Sequence, residues 1–349
     1  MKKNTATDSD LTTLHTKQIK QIDQQGAPQS LMAARFIKEI GRGKAGARSL
    51  NRDDAHLLYA AMLDGRVSDL EMGGILLAMR IKGESVEEIA GFMDAAQQSI
   101  TPLNAPRNCE FAPVIIPSYN GARKKANLTP LLALLLARRG VPVLIHGVEH
   151  DAGRVTSAEI LTAMKFSFAY SSREAEQGLS EKNWAFMRID DLSPKMARLL
   201  AMRKILGVRN STHTLVKILQ PFQSAALRLT SYTHPEYLQM LRQYLSQLVP
   251  AERGDTFLMR GTEGETVAST ARAQQIDWFH DGQCNTLVET HSRIQGELPE
   301  TPDLIDAQSS AEWIQKVLDG VVAVPANIAE QVEHCVQVAR NIWQREKEF

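Results

Sequence analysis

With 349 residues, 43% hydrophobic and 23% charged, the chain has the make-up of an ordinary globular protein, enough for one large domain or two unequal ones. The 40 basic and 40 acidic residues cancel, which excludes a uniformly basic, histone-like protein but leaves room for a local basic face. Three widely spaced cysteines, Cys109, Cys284 and Cys335, argue against a disulfide scaffold and a zinc finger. They fit a reducing compartment. No apolar run reaches the roughly 18–20 residues of a membrane span, and the start is polar, so the expectation is a cytoplasmic protein without membrane contact.

Residues 1–29 are rich in Gln, Thr and Lys and read as an N-terminal arm, either disordered or a short helix. From Ser30 to Ser99 the apolar spacing is helical throughout. Leu31, Phe36, Ile37 and Ile40 make one face that stops at Gly41. Asn51 is an N-cap for a helix to Leu63, and Asp69–Lys82 repeats the pattern. Ser85 and Glu88 form a capping box for the next helix. A Pro-marked linker, Thr101–Pro106, follows.

After about Glu110 strands and helices alternate. Val114–Ile116 and Val143–Ile145 read as buried strands, with a helix between them that starts at Thr129-Pro130 as N-cap and first residue. Helix Ser157–Met164, strand Ala185–Ile189, helix Pro194–Leu206, strand Leu227–Thr230, helix Pro235–Leu248 and strand Thr256–Met259 continue the series. A strand pair is expected around Val267 and Ile276, then helices Ser310–Leu318 and Ile328–Trp343. The fold class is therefore α/β: a small N-terminal all-α domain (30–105) plus a larger α/β domain (106–349) with a mainly parallel sheet.

Several segments carry a family likeness in sequence order. Gly41-Arg42-Gly43, Leu50–Ala55, Leu63-Asp64-Gly65, Leu77–Glu84 and Glu87–Phe92 resemble the helical domain of anthranilate phosphoribosyltransferase, of glycosyltransferase family 3. His146-Gly147, Arg203–Arg209 and Leu215–Pro221 are similar to the same family's later segments. Ile116–Ala133 and Ala201–Ser211 resemble most a non-biosynthetic branch of that family whose members bind DNA. The likeness spans residues about 30 to 345. It implies a nucleoside phosphorylase/phosphoribosyltransferase-like fold, with part of 193–220 joining the helical domain in space. It also implies a homodimer formed through that domain, and nucleic-acid binding.

The enzyme pattern is degraded. The family's enzymes hold phosphoribosyl pyrophosphate on a Gly-Thr-Gly-Gly-Asp loop, whose small residues let backbone N–H groups approach the diphosphate. Here the segment reads Pro117-Ser118-Tyr119-Asn120-Gly121, with one glycine and a bulky tyrosine. The next motif keeps Asn127 but loses its serine, and the Lys-His-Gly-Asn motif survives only as His146-Gly147. An Asp-Glu pair that holds magnesium in the enzymes aligns with Thr266 and Val267; Glu263 and Glu265 lie close enough for a shifted register. Arg203 matches an arginine that contacts the aromatic acid. Ser118, Asn120, Gly121, Asn127, His146, Gly147 and Arg203 are thus read as a vestigial substrate pocket. No resident metal or cofactor is expected; magnesium belongs only to the alternative, transfer of phosphoribosyl to an aromatic or nucleobase-like acceptor. His146 reads either as a relict ligand contact or as a hydrogen-bonded residue at a strand end.

Positive charge is concentrated instead. Arg35–Arg48 holds five cations with Glu39 as its one acid; Phe111–Val148 holds five and Ser193–Lys217 six, neither with any acid. Arg138 and Arg139 read as partners of a helix C-terminus. Three adjacent cations at Arg123, Lys124 and Lys125 repel one another unless an anion is recruited. The residues expected to meet phosphates are Arg42, Lys44, Arg48, Arg123, Lys124, Lys125, Arg203 and Arg209. No helix-turn-helix, zinc-finger or ribonucleoprotein signature is present, so DNA, or else RNA or single strands, would be bound without reading sequence. A scaffold whose only partner is another protein is the third reading.

Overall fold

The computed structural model describes residues 30–347 apart from 44, 291–300 and 303. The N-terminal arm and Lys44 therefore lie outside the described residues. The elements in chain order are α1 (Ala34–Ile40), α2 (Arg52–Leu63), α3 (Asp69–Lys82), α4 (Val86–Gln98), β1 (Val114–Ser118), α5 (Thr129–Arg138), β2 (Val143–Gly147), α6 (Ser157–Ala163), α7 (Ser172–Lys182) and β3 (Trp184–Arg188). They continue with α8 (Ile189–Leu192), α9 (Pro194–Ala201), α10 (Arg203–Leu206), α11 (Thr212–Leu215), β4 (Leu227–Tyr232), α12 (Pro235–Gln247), β5 (Thr256–Arg260), β6 (Ile276–His280), β7 (Gln283–Val288), α13 (Ala307–Leu318) and α14 (Ala326–Lys347).

Local chemistry accounts for the helix ends. The Asn51 side chain accepts the Asp54 N–H, and Ser68/Glu71, Ser85/Glu88 and Thr156/Glu159 are complete capping boxes. At α5 the N-cap is Leu128, one residue earlier than the Thr-Pro signal suggested, and it makes no side-chain cap bond. Thr129 is itself helical, and its N–H is taken by Asn127 Oδ1 at 3.1 Å.

The sheet runs β3-β2-β1-β4-β5-β6-β7. Its first five strands are parallel, and β6 and β7 close one edge antiparallel. Alternation along β1 divides two cores. Val114 and Ile116 face the layer of α5, α6, α13 and α14, whereas Ile115 faces the side shared with the helical domain. Three local expectations are corrected. Val267 lies in a loop, and the antiparallel pair is β6–β7. The helix expected over Pro194–Leu206 breaks at Met202. Helix α7 was not foreseen, because its sequence SREAEQGLSEK buries only Ala175 and Leu179.

The segment α9–α11 leaves the α/β domain and packs on the helical one. Arg198 donates to the Met62 and Leu63 carbonyls that end α2, Lys195 pairs with Asp64 at 2.8 Å, and Tyr59 Oη meets Thr212 Oγ1 at 2.9 Å. These bonds fix a cleft between the helical domain and the carboxyl ends of the parallel strands, where open α/β sheets place their ligands.

Candidate functional site

The ends of β1 and β2 form a packed seam. Ser118 Oγ lies 2.8 Å from Ser157 Oγ, and Asn127 Nδ2 donates to Ser157 Oγ at 3.1 Å and to the Val155 carbonyl at 3.3 Å. Gly147 is required by the fold: a Cβ there would lie 1.9 Å from the Ser118 carbonyl oxygen. Tyr119 turns its ring inward and its hydroxyl meets His146 Nδ1 at 2.6 Å. Burial drives the His146 pKa down to about 3, so the ring is neutral near pH 7, and its Nε2 has no partner among the described residues. Ser118, Asn120, Asn127 and His146 are each at most 3% exposed. These four therefore sit in a closed junction with the Tyr119 ring packed into it, while Arg203 lies apart from them and partly exposed.

Two carboxylates complete the closure. Glu265, 1% exposed, accepts the backbone N–H groups of Asn120 at 2.8 Å and Gly121 at 2.7 Å through one oxygen. Glu263 accepts those of Arg123 at 2.7 Å and Lys124 at 2.8 Å, one on each oxygen. Backbone N–H groups converging in this way make an anion cradle. The turn bearing both acids is clamped down. Thr262 and Glu265 exchange backbone bonds at 3.0 Å, and the Gly264 carbonyl accepts from Ser231 Oγ at 2.9 Å and Lys217 Nζ at 3.3 Å. Gly264 has φ 96°, and a Cβ on it would fall 1.6 Å from Asn120 Nδ2, so the turn lies flush on the 118–121 segment.

The residues do not fit a magnesium–diphosphate group. Thr266 and Val267, both buried, stand where the resemblance puts the ligating pair; Glu263 gives both oxygens to backbone donors and Glu265 gives one, its Oε2 being buried without a partner among the described residues.

Cations surround the closed cradle. Arg123, Lys124 and Lys125 are exposed on the loop after β1 and make no ion pair among the described residues. Arg203 faces Asp151 at 3.5 Å and keeps 40% of its side chain exposed. Arg209 is held below the usual arginine range by burial first, then by the charges of Arg203, Arg154 and Arg80, against which Asp151 acts alone. Burial also drives the Lys217 pKa down to about 8, with Glu265 opposing the shift. Between Arg80, Arg209, His213, Lys217, Ser231 and Tyr237 lies a cavity of about 110 Å³.

The first basic window behaves differently. Arg42 donates to Glu39 at 2.6 Å and to the Lys38 carbonyl at 3.0 Å, and Arg48 lies 3.9 Å from Glu39. Both therefore turn back onto the last turn of α1. Arg138 donates to the Leu318 carbonyl that ends α13, as a helix-end partner, whereas Arg139 pairs with the Glu333 carboxylate midway along α14. Sequence reasoning passed over Arg154, which donates to the Gly121 carbonyl at 3.2 Å. It follows Glu149 and Asp151, so a search for acid-free windows could not find it. Lys217 did lie in such a window.

A small helical domain ahead of a mainly parallel sheet, with backbone N–H groups converging at its strand ends, is the plan of a phosphoribosyltransferase-like scaffold. The glycosyl transferase family helical bundle domain matches residues 34–100 and the family's a/b domain matches residues 120–328; the chain belongs to glycosyl transferase family 3. It is 42% identical over 303 residues to the uncharacterized protein YbiB of Escherichia coli (strain K12), covering 86% of this chain and 92% of that one. It is 25% identical over 278 residues to the anthranilate phosphoribosyltransferase of Novosphingobium aromaticivorans, covering 78% and 81%. Among solved structures it resembles the anthranilate phosphoribosyltransferase of Thermus thermophilus, with a TM-score of 0.67 at 21% identity over 88% of this chain and 94% of that one. The Saccharomyces cerevisiae enzyme with PRPP and Mg gives a TM-score of 0.66 at 15% identity over 89% and 88%. At these identities the structural likeness speaks for the fold.

Proposed function

We propose that this chain binds nucleic acid through its phosphates, with little sequence preference, on a phosphoribosyltransferase scaffold that no longer transfers phosphoribosyl groups. The observation that carries the reading is a cradle filled by the chain's own Glu263 and Glu265, with Arg123, Lys124 and Lys125 at its mouth and without an ion pair among the described residues. A diphosphate would have to displace both carboxylates to reach the backbone donors there, while a polyanion passing over the surface has three cations to neutralise. Each phosphate so met releases condensed counterion. Fluorescent duplex DNA, single-stranded DNA and RNA, titrated at several salt concentrations, should each give an affinity that falls steeply with salt. A slope near zero for all three overturns the proposal. Release of pyrophosphate from phosphoribosyl pyrophosphate with magnesium and anthranilate would instead restore the enzymatic reading.

The proposal includes a homodimer through the helical domain and a cytoplasmic location. On α3, Leu70 is 89% exposed, Ile81 66% and Leu77 41%, at spacings that share one helix side. Large apolar side chains so exposed mark an association surface. Light scattering should give twice the chain mass, and Leu70→Glu with Ile81→Glu should halve it; a wild-type monomer refutes the pairing. Among the described residues no helix is long and apolar enough to cross a membrane.

A further inference from the structure

We propose that the backbone of Arg123 and Lys124 is a phosphate seat, that Glu263 occupies it in the free protein, and that a nucleic-acid phosphate displaces the Glu263 carboxylate on binding. This rests on the nucleic-acid reading above and adds to it a built-in competitor.

The two carboxylates of the turn are not equivalent. Glu265 is 1% exposed, receives buried donors and shares its surroundings with the Lys217 ammonium. It is a permanent plug. Glu263 is partly exposed, and its two bonds to the Arg123 and Lys124 N–H groups lie at the surface. No ion pair joins Glu263 to any described cation, so the backbone alone holds its carboxylate. The side chains of Arg123, Lys124 and Lys125 remain available to a second anion that carries several charges at the same place.

The local backbone also favours release over rigidity. Glu263 has φ 53°, a left-handed conformation that residues with a Cβ seldom adopt. The paired bonds between Thr262 and Glu265 close the turn behind it. The Glu263 side chain can therefore swing out while Glu265 stays in place. A phosphate offers the same two acceptor oxygens as a carboxylate. On a polynucleotide it arrives with neighbours that engage the three cations together. A lone small anion must compete with Glu263 without that help, so the seat discriminates in favour of polyanions.

Glu263→Gln tests this, because it removes the competing charge and keeps the side-chain shape. The full chain carrying Glu263→Gln should bind single-stranded DNA about three- to tenfold more tightly near 0.1 M salt. Its salt slope should match or exceed that of the wild type, by up to about 0.7 per seat. The Arg123 amide, seen by selective ¹⁵N-arginine labelling of the wild type, should shift on adding DNA. In Glu263→Gln it should also shift with inorganic phosphate, at lower concentration than in the wild type. Unchanged or weaker DNA binding by a folded Glu263→Gln, or an Arg123 amide that DNA does not move, overturns the seat while leaving nucleic-acid binding intact. A wild type that binds no DNA overturns the functional reading itself; the phosphate titration of the variant then still decides whether the seat exists.

Discussion

Replacing Arg123, Lys124 and Lys125 together by alanine should weaken duplex binding by about 100- to 1,000-fold near 0.1 M salt, alike for unrelated sequences. The three contributions add. Each cation that meets a phosphate contributes about 0.9 to the slope of log affinity against log salt on duplex DNA, so the slope should flatten by about 2.7. The three side chains are exposed and unpaired among the described residues, so their removal should leave folding stability within about 0.5 kcal/mol of wild type. That separates loss of contact from loss of fold. Fluorescence anisotropy at four salt concentrations measures both affinity and slope. An unchanged slope would move the phosphate contacts elsewhere, Arg203 and Arg209 being the next cations to replace. Arg42 and Arg48 should matter less than their sequence suggests, because Glu39 already partners both.

Glu265→Ala should be the most destabilising single change at the site, by about 3–5 kcal/mol. Alanine strips the acceptor from two buried N–H groups, those of Asn120 and Gly121, and takes away the anion nearest buried Lys217. Glu265→Gln keeps an acceptor and should fall between the two. The loss has a pH signature with a definite sign. The Lys217 pKa is already lowered to about 8 by burial, and without Glu265 it drops further. The folded variant then binds fewer protons than the unfolded chain from below pH 8 up to about 10.5, the ordinary lysine value, so its stability rises with pH there. The deficit against wild type should be greatest below the variant's lowered Lys217 pKa, shrink as pH rises towards 8, and level off above 8, where the wild type gains in parallel. Urea unfolding at pH 5.5, 7, 8 and 9 measures it. A deficit independent of pH would mean that Lys217 draws its counter-charge from another group.

Much of the architecture was legible because its signals are local. Asn51, Ser85 and Glu88 cap the helices they were expected to cap, and β1 and β2 fall on the runs of Val and Ile. The misses are local as well. In α7 a mostly polar sequence hides its two buried residues, and Val267 is buried by a loop instead of a strand. The candidate site was legible in part. The bulk of Tyr119 and the missing magnesium pair spoke against transfer before any geometry was known. The charge windows located Arg123–Lys125 and Arg209, and equally collected Lys195 and Arg198, which serve only to tie α9 to the helical domain. A count of cations cannot see which of them have already found a carbonyl or a carboxylate.

By itself the order of residues determined the helices and strands, their stops, the two-domain plan and the loss of the small-residue turn, since each depends on neighbours within a few positions. Only the tertiary structure decided what became of the emptied cradle. Glu265 reaches Asn120 across 145 positions and Glu263 reaches Lys124 across 139, and no local propensity encodes such a meeting. It arises because β1 and the turn after β5 end at the same edge of one sheet. There, buried N–H groups without an acceptor are too unfavourable to leave open.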